Sequence, residues 1–143
     1  MRDLMNDIDP KVAIVPTVAT DNTALVGENI DKTGYDSVTF IIAAGTLADA
    51  DATFATLLEH ADDNGSGAPG AFAAVPDDEL VGTEALAGFT FAEDKKCRKL
   101  GYIGGKKWTR LTVTPSGNAG SAPIAAVAIL GHPNVKPTAN PPA

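Results

Sequence analysis

The chain has 143 residues, a net charge of −7, one cysteine, and apolar residues at 44% of positions. That length fits one domain with enough apolar surface to fold unaided, and a lone Cys97 excludes an intrachain disulfide framework. There is no 18-residue apolar run, Met1 to Asp7 lack an apolar signal core, and the pI is near 4.6; the reading is an acidic, soluble domain made in a reducing compartment, with no membrane span and no general affinity for nucleic acid.

Fourteen glycines and ten prolines cut the chain into short pieces. Lys11–Ala19 is apolar and β-branched with Pro16 inside it, which predicts an edge or bulged strand, because proline cannot donate to a ladder. Thr23–Ile30 is a short candidate strand. Tyr35–Ala43 alternates Val38, Phe40 and Ile42 with Ser37, Thr39 and Ile41, the pattern of a strand with one face inside. Thr46–Ala61 fits two readings. Leu47, Ala50, Phe54, Leu57 and Ala61 suit a helix capped by Thr46, whereas Phe54, Thr56 and Leu58 suit a strand after a polar turn at Asp49–Asp51. The β character of the neighbouring segments favours the strand. Asp62–Gly70 reads as a flexible loop.

Leu86–Phe91, Cys97–Ile103 and Trp108–Thr114 are the next candidate strands, and Gly104-Gly105 predicts a tight hairpin between the last two, since such turns use positive φ. Ile124–Leu130 is an unbroken apolar run, expected to be buried on both faces as a central strand or one covered by another subunit. The segment from His132 to Ala143 carries four prolines and is read as an extended tail. The expected fold is all-β, a jelly roll or β-sandwich of about eight strands. An N-terminal arm is expected over 1–10, the sandwich over 11–131 and the Pro-rich tail over 132–143.

Charge is segregated along the chain. All 18 acidic residues fall within residues 1–94, beside only three bases, for a net of −15; residues 95–143 carry eight bases and no acid. Seven of the eight lie within 95–110: Lys95, Lys96, Arg98, Lys99, Lys106, Lys107 and Arg110. Either the halves interleave in the fold and neutralise each other, or the basic stretch meets an acidic partner. Trp108 and Arg110, expected on one strand face with Lys106 and Thr112, are residue types that dominate interface energetics. A platform for single-stranded nucleic acid would also use bases and aromatics, but one Trp and the net charge argue against it.

Little in the chain resembles catalytic machinery. His60 closes a strand and His132 precedes a proline, so surface or capping roles are expected for both. Cys97 has cationic neighbours but no paired histidine in the sequence. Asp62, Asn64 and Ser66 imitate the start of a calcium loop, yet the closing acid position is Ala73. No metal, cofactor or enzymatic activity is expected.

Several stretches form a familiar series: Met1-Arg2-Asp3-Leu4-Met5, Tyr35-Asp36-Ser37-Val38-Thr39-Phe40, Gly45 to Phe54, Arg98 to Gly104, Trp108 to Thr114, and Ala126 to Pro133. Together they resemble the jelly-roll cement (decoration) proteins of short-tailed bacteriophages, over residues 1–133. The resemblance implies a virion protein on the outer capsid surface, present in the host cytoplasm before assembly, that bridges major capsid subunits. On this reading the capsid contacts are Lys95, Lys96, Arg98, Lys99, Lys106, Lys107, Trp108 and Arg110. The apolar Ile124, Val127 and Ile129 are candidates for a self-interface, a homodimer before a trimer. The alternatives are a head–tail connector or tail-associated structural protein and a carbohydrate-binding jelly roll.

Overall fold

A computed structural model describes residues 2–143. In chain order the strands are β1 (Ile8–Ala19), β2 (Leu25–Val26), β3 (Ile30–Asp31), β4 (Tyr35–Ala44), β5 (Thr53–Ala61), β6 (Ala73–Ala74), β7 (Leu80–Val81), β8 (Phe89–Thr90), β9 (Cys97–Tyr102), β10 (Trp108–Ser116) and β11 (Ala122–Pro133). One short helix, α1 (Glu84–Ala87), and three 3₁₀ turns complete the described chain. A five-stranded antiparallel sheet runs β1-β11-β4-β9-β7, and a six-stranded sheet runs β2-β10-β5-β6, with β3 also on β10 and β8 also on β5. Taking β2 and β3 as one broken strand, and β6 and β8 as another, leaves eight strands plus the short edge β7. The sheets then read first-eighth-third-sixth and second-seventh-fourth-fifth, the order of a jelly roll.

The alternation in Tyr35–Ala43 places β4 as read: Val38, Phe40 and Ile42 are buried. They face Leu58, Leu111 and Val113 of the opposite sheet in one apolar core. Thr53–Ala61 is a strand, with Phe54, Leu58 and His60 inward and Leu57 outward. β1 is an edge strand, as Pro16 predicts, and register shifts after Val12 and after Ile14 let the consecutive Ala13 and Ile14 both point inward. β1 begins at Ile8, so Ile8, Asp9 and Pro10 belong to the sheet.

Three expectations are overturned. Cys97–Ile103 and Trp108–Thr114 do not form a hairpin: β9 and β10 lie in different sheets, and neither Gly104 nor Gly105 has positive φ. The two glycines carry the chain across the sandwich, and Gly104 is needed for closeness, since a Cβ there would meet the Tyr102 hydroxyl at 2.5 Å. Leu86–Phe91 is divided between α1, β8 and a 3₁₀ turn. Thr83 caps α1 by accepting from Leu86 N–H, and the Glu84 carboxylate accepts from Leu58 N–H at 2.7 Å, which ties the helix to β5. Thr23–Ile30 is broken into β2 and β3 by Gly27. Its N–H donates to Leu111 O (2.8 Å), and the next N–H, of Glu28, donates to Ala13 O (2.7 Å). This link joins β10 of one sheet to β1 of the other and closes that side of the sandwich.

The tail folds back along the start of the chain. Thr138 donates its N–H to Asn6 O (3.0 Å) and its hydroxyl to Ile8 O (2.7 Å), and Lys136 pairs with Asp7.

A Cβ on Gly27 would lie 2.4 Å from Leu111 O and 2.5 Å from Ala13 O. These are backbone atoms fixed by the sheets, so Gly27→Ala is expected to cost about 1–3 kcal/mol, an overpacking penalty. Gly105→Ala meets nothing within 4 Å and should stay within about 0.5 kcal/mol of the parent. Chemical denaturation of both variants compares the two.

Candidate functional site

The residues read as contact candidates divide between the two outer faces and one end of the sandwich. Cross-strand partners share a face, so the register defines each surface. On the six-stranded sheet, Trp108, Arg110, Thr112 and Thr114 point outward opposite Ala61, Glu59, Leu57 and Ala55. Arg110 is held on both sides: its guanidinium donates to Glu59 at 2.8 Å and lies 4.1 Å from the centroid of the Phe72 ring. Lys107 pairs with Asp63 at 3.3 Å and lies 5.3 Å from the Trp108 ring centre, and Lys106 pairs with Asp62 at 3.2 Å. Trp108 is half-buried and donates its indole N–H to Asp63. These four residues are therefore engaged with acids from the first part of the chain.

Arg98 pairs with Glu93 (3.2 Å) and shares the inward side of β9 with Leu100. Lys95, Lys96 and Lys99 are exposed, and no carboxylate among the described residues lies within 4 Å of their ammonium groups. Thus the basic stretch is two groups: one paired on the β5–β10 face, and one at the start of β9 without a close ion pair, although, after the hydrogen bonds from Thr90, the charge of Lys96 helps to lower the pKa of Glu93.

The apolar run is likewise divided by face. Ile124, Ala126, Ala128 and Leu130 point into the core, at 2% exposure or less. Ile124 therefore belongs to the core and is removed as a self-interface residue. Val127, 39% exposed, and the half-buried Ile129 point out from the five-stranded sheet. The run is buried on one face only: among the described residues the chain's two ends reach this sheet at Ile8 and Pro10 of β1 and leave Val127 exposed.

His60, expected in a surface or capping role, is buried between the sheets. The Tyr102 hydroxyl receives Lys106 N–H (3.2 Å) and lies 3.0 Å from His60 Nδ1, in position to donate to the neutral ring. Glu79 Oε2 is 3.3 Å from the same nitrogen. Burial first, then the charges of Glu79 and Asp62, raise the pKa of Tyr102, while the Lys106 N–H opposes them. The spacing of His60, Glu79 and Tyr102 in sequence gives no signal of this junction, since three separate elements deliver them. It is a cross-sheet tie with no free hydroxyl or thiol beside the imidazole. His132 instead lies near the surface, with Nδ1 2.8 Å from Ser37 Oγ. Cys97 is exposed. Among the described residues, no group of three or more His, Cys, Asp or Glu side chains is placed to hold a metal, and no helix is long and apolar enough to cross a membrane.

No family model matches the chain, and neither does any curated protein. Among solved structures it is similar to a chain from the structure of infectious bursal disease virus, Gx strain, with a TM-score of 0.52 at 10% identity. The match covers 87% of this chain and 32% of that one, so this chain spans about a third of its length. A chain from the crystal structure of the infectious bursal disease virus VP2 subviral particle overlaps 89% of this chain and 32% of its own, at 9% identity and a TM-score of 0.45. What the Gx-strain match shows is the fold.

Two predictions separate the faces. Ile124→Ala should lower unfolding free energy by about 2–4 kcal/mol, because it leaves a core cavity, whereas Val127→Ala should change it by less than about 1 kcal/mol; chemical denaturation measures both. The second uses Asp63. The Gly67 N–H first, with the Trp108, Gly65 and Lys107 donors, holds its carboxyl below the ordinary range. A folded-state value below the unfolded one means that the stabilisation is complete above the ordinary range and is lost as pH falls through the lowered value. Emission of Trp108, the single tryptophan, should therefore shift on acidification below about pH 4, and Asp63→Asn should abolish that step.

Proposed function

We propose that the chain is a virion structural protein that binds the outside of a bacteriophage head and cements it by bridging neighbouring major capsid subunits. The observation that carries this reading is the jelly-roll strand order, formed by the same segments that resemble cement proteins. Tyr35–Phe40 lies in β4, Arg98–Tyr102 in β9, Trp108–Thr114 in β10 and Ala126–Pro133 in β11. The likeness in fold to a chain of a virus structure supports the same reading. A cement protein needs a rigid body and surfaces that add modest contacts at many equivalent sites, where repetition raises the total avidity. The sandwich, closed by the Gly27 link and the His60–Glu79–Tyr102 tie, supplies the rigid body.

The test mixes purified protein with expanded heads, from the virus that encodes the chain, stripped of this protein. Cryo-electron microscopy should reveal added density over joints between capsid subunits, and decorated heads should open several degrees above bare ones on heating. Density confined to one vertex would assign the chain to the head–tail connector instead, and bare heads at micromolar protein would overturn the reading.

A further inference from the structure

The outward rows of the five-stranded sheet carry a single charged side chain, Lys99. Those rows follow from the register. Val12, Val127, Ile41 and Lys99 form one row across β1, β11, β4 and β9. Pro10, Ile129, Thr39 and Gly101 form the next, which Val81 of β7 extends; Ala125, Ala43 and Cys97 form a third. Val12 is 50% exposed and Val81 is 56% exposed. None of these outward positions holds a carboxylate, although the chain has 18. The one charge in the rows is Lys99, on the β9 side where Lys95 and Lys96 are also exposed. Where β7 meets β9 is a groove of about 670 Å³ whose lining includes Lys99, Gly101, Val81, Leu86 and Ile103. An apolar field with a cationic corner and a pocket is the layout of a protein-binding surface.

We infer that this face, with Lys99 at its corner, is the surface that seats on the shell, and that its partner is an apolar capsid surface bordered by carboxylates. The inference rests on the cement reading above and names the site through which it operates. Charge decides between this partner and a second copy. Two copies packed face to face would bring unpaired lysines into a contact to which the face contributes no carboxylate, whereas an acid-rimmed partner pairs them. Size agrees. Four strands about 4.8 Å apart and about nine residues long cover roughly 600 Å² per partner, and a total near 1,200 Å² is at the low end for specific interfaces. Such a contact is weak alone and sufficient when repeated over a lattice.

Co-sedimentation of the full chain with stripped expanded heads, at several salt concentrations, tests the assignment. Val127→Glu and Val12→Glu should each weaken binding at least about tenfold, since each places a charge in an apolar contact. Lys99→Glu should weaken it about fivefold and flatten its salt dependence, since a rim ion pair is screened by salt. Val26→Glu, at a 60% exposed position on the opposite sheet, should bind like the parent. Thermal unfolding checks that each variant is folded, and if Val127→Glu is not, Val12→Glu and Lys99→Glu decide. If the parent binds heads and these variants bind equally well, the face is wrongly assigned while the cement reading stands. If Val127→Glu leaves head binding intact but converts a parent dimer to monomer in light scattering, the face is a self-interface and the inference falls. A parent chain that binds no heads overturns the cement reading itself.

Discussion

The pairing of β11 between β1 and β4 is the constraint on which the rest of the molecule depends. Slipping a strand by one residue exchanges its two faces, and in β11 both faces are apolar: Ile124, Ala126, Ala128 and Leu130 inside, Ala125, Val127 and Ile129 outside. Hydrophobicity within β11 therefore does not select its register. Its neighbour does. β4 has Val38, Phe40 and Ile42 on one face and Ser37 and Thr39 on the other, and the bulky Phe40 and Ile42 lie opposite Ala128 and Ala126. Large beside small fills the inner layer at the density a core requires. The slipped register would bring Ile129 and Val127 inward beside the same side chains and overfill it.

That division of labour explains how far the sequence could be read. β4 announces itself through the alternation of Val38, Phe40 and Ile42 with Ser37 and Thr39, β5 is read as a strand only through its β neighbours, and the prolines of β1 mark it as an edge. The class of fold and the strand count followed from such signals. The partner of each strand did not. Gly104-Gly105 has the composition of a hairpin turn, but local composition cannot distinguish a turn within a sheet from a crossing between sheets; Tyr102 and Glu79 pressing on Gly104 decide it. Capping by Thr83, a signal local to the sequence, and the long-range bond from Leu58 N–H to Glu84 together outweigh the β-like appearance of Leu86–Phe91. At the candidate site, residue types are legible in the sequence and their distribution over the faces is not. Ile124, Val127 and Ile129 sit in one apolar run, and only the pleat separates the first from the other two.

The fold neutralises one part of the charge segregation along the chain and leaves another part at the surface. Lys106, Lys107 and Arg110 meet Asp62, Asp63 and Glu59, acids from the opposite side of the sequence divide. The interleaved fold consumes that part of the asymmetry, in partly exposed pairs that each contribute little to stability. The remainder is concentrated at Lys95, Lys96 and Lys99, beside a sheet face without carboxylates. The net charge of −7 opposes unintended association through this apolar face, because like-charged copies repel.

The junction of Ile8–Ala19 with Ala122–Pro133 has a kinetic corollary. Strands separated by about a hundred residues must find each other before the five-stranded sheet is complete, and β4 lacks its central neighbour until they do. Loop closure over that distance is entropically costly, and folds dominated by such distant pairings form in milliseconds to seconds. On the ribosome, the exposed edge of β4 would wait for the last strand to emerge, so synthesis of this chain offers a window in which its most apolar segments are open to chaperones and to neighbouring nascent chains.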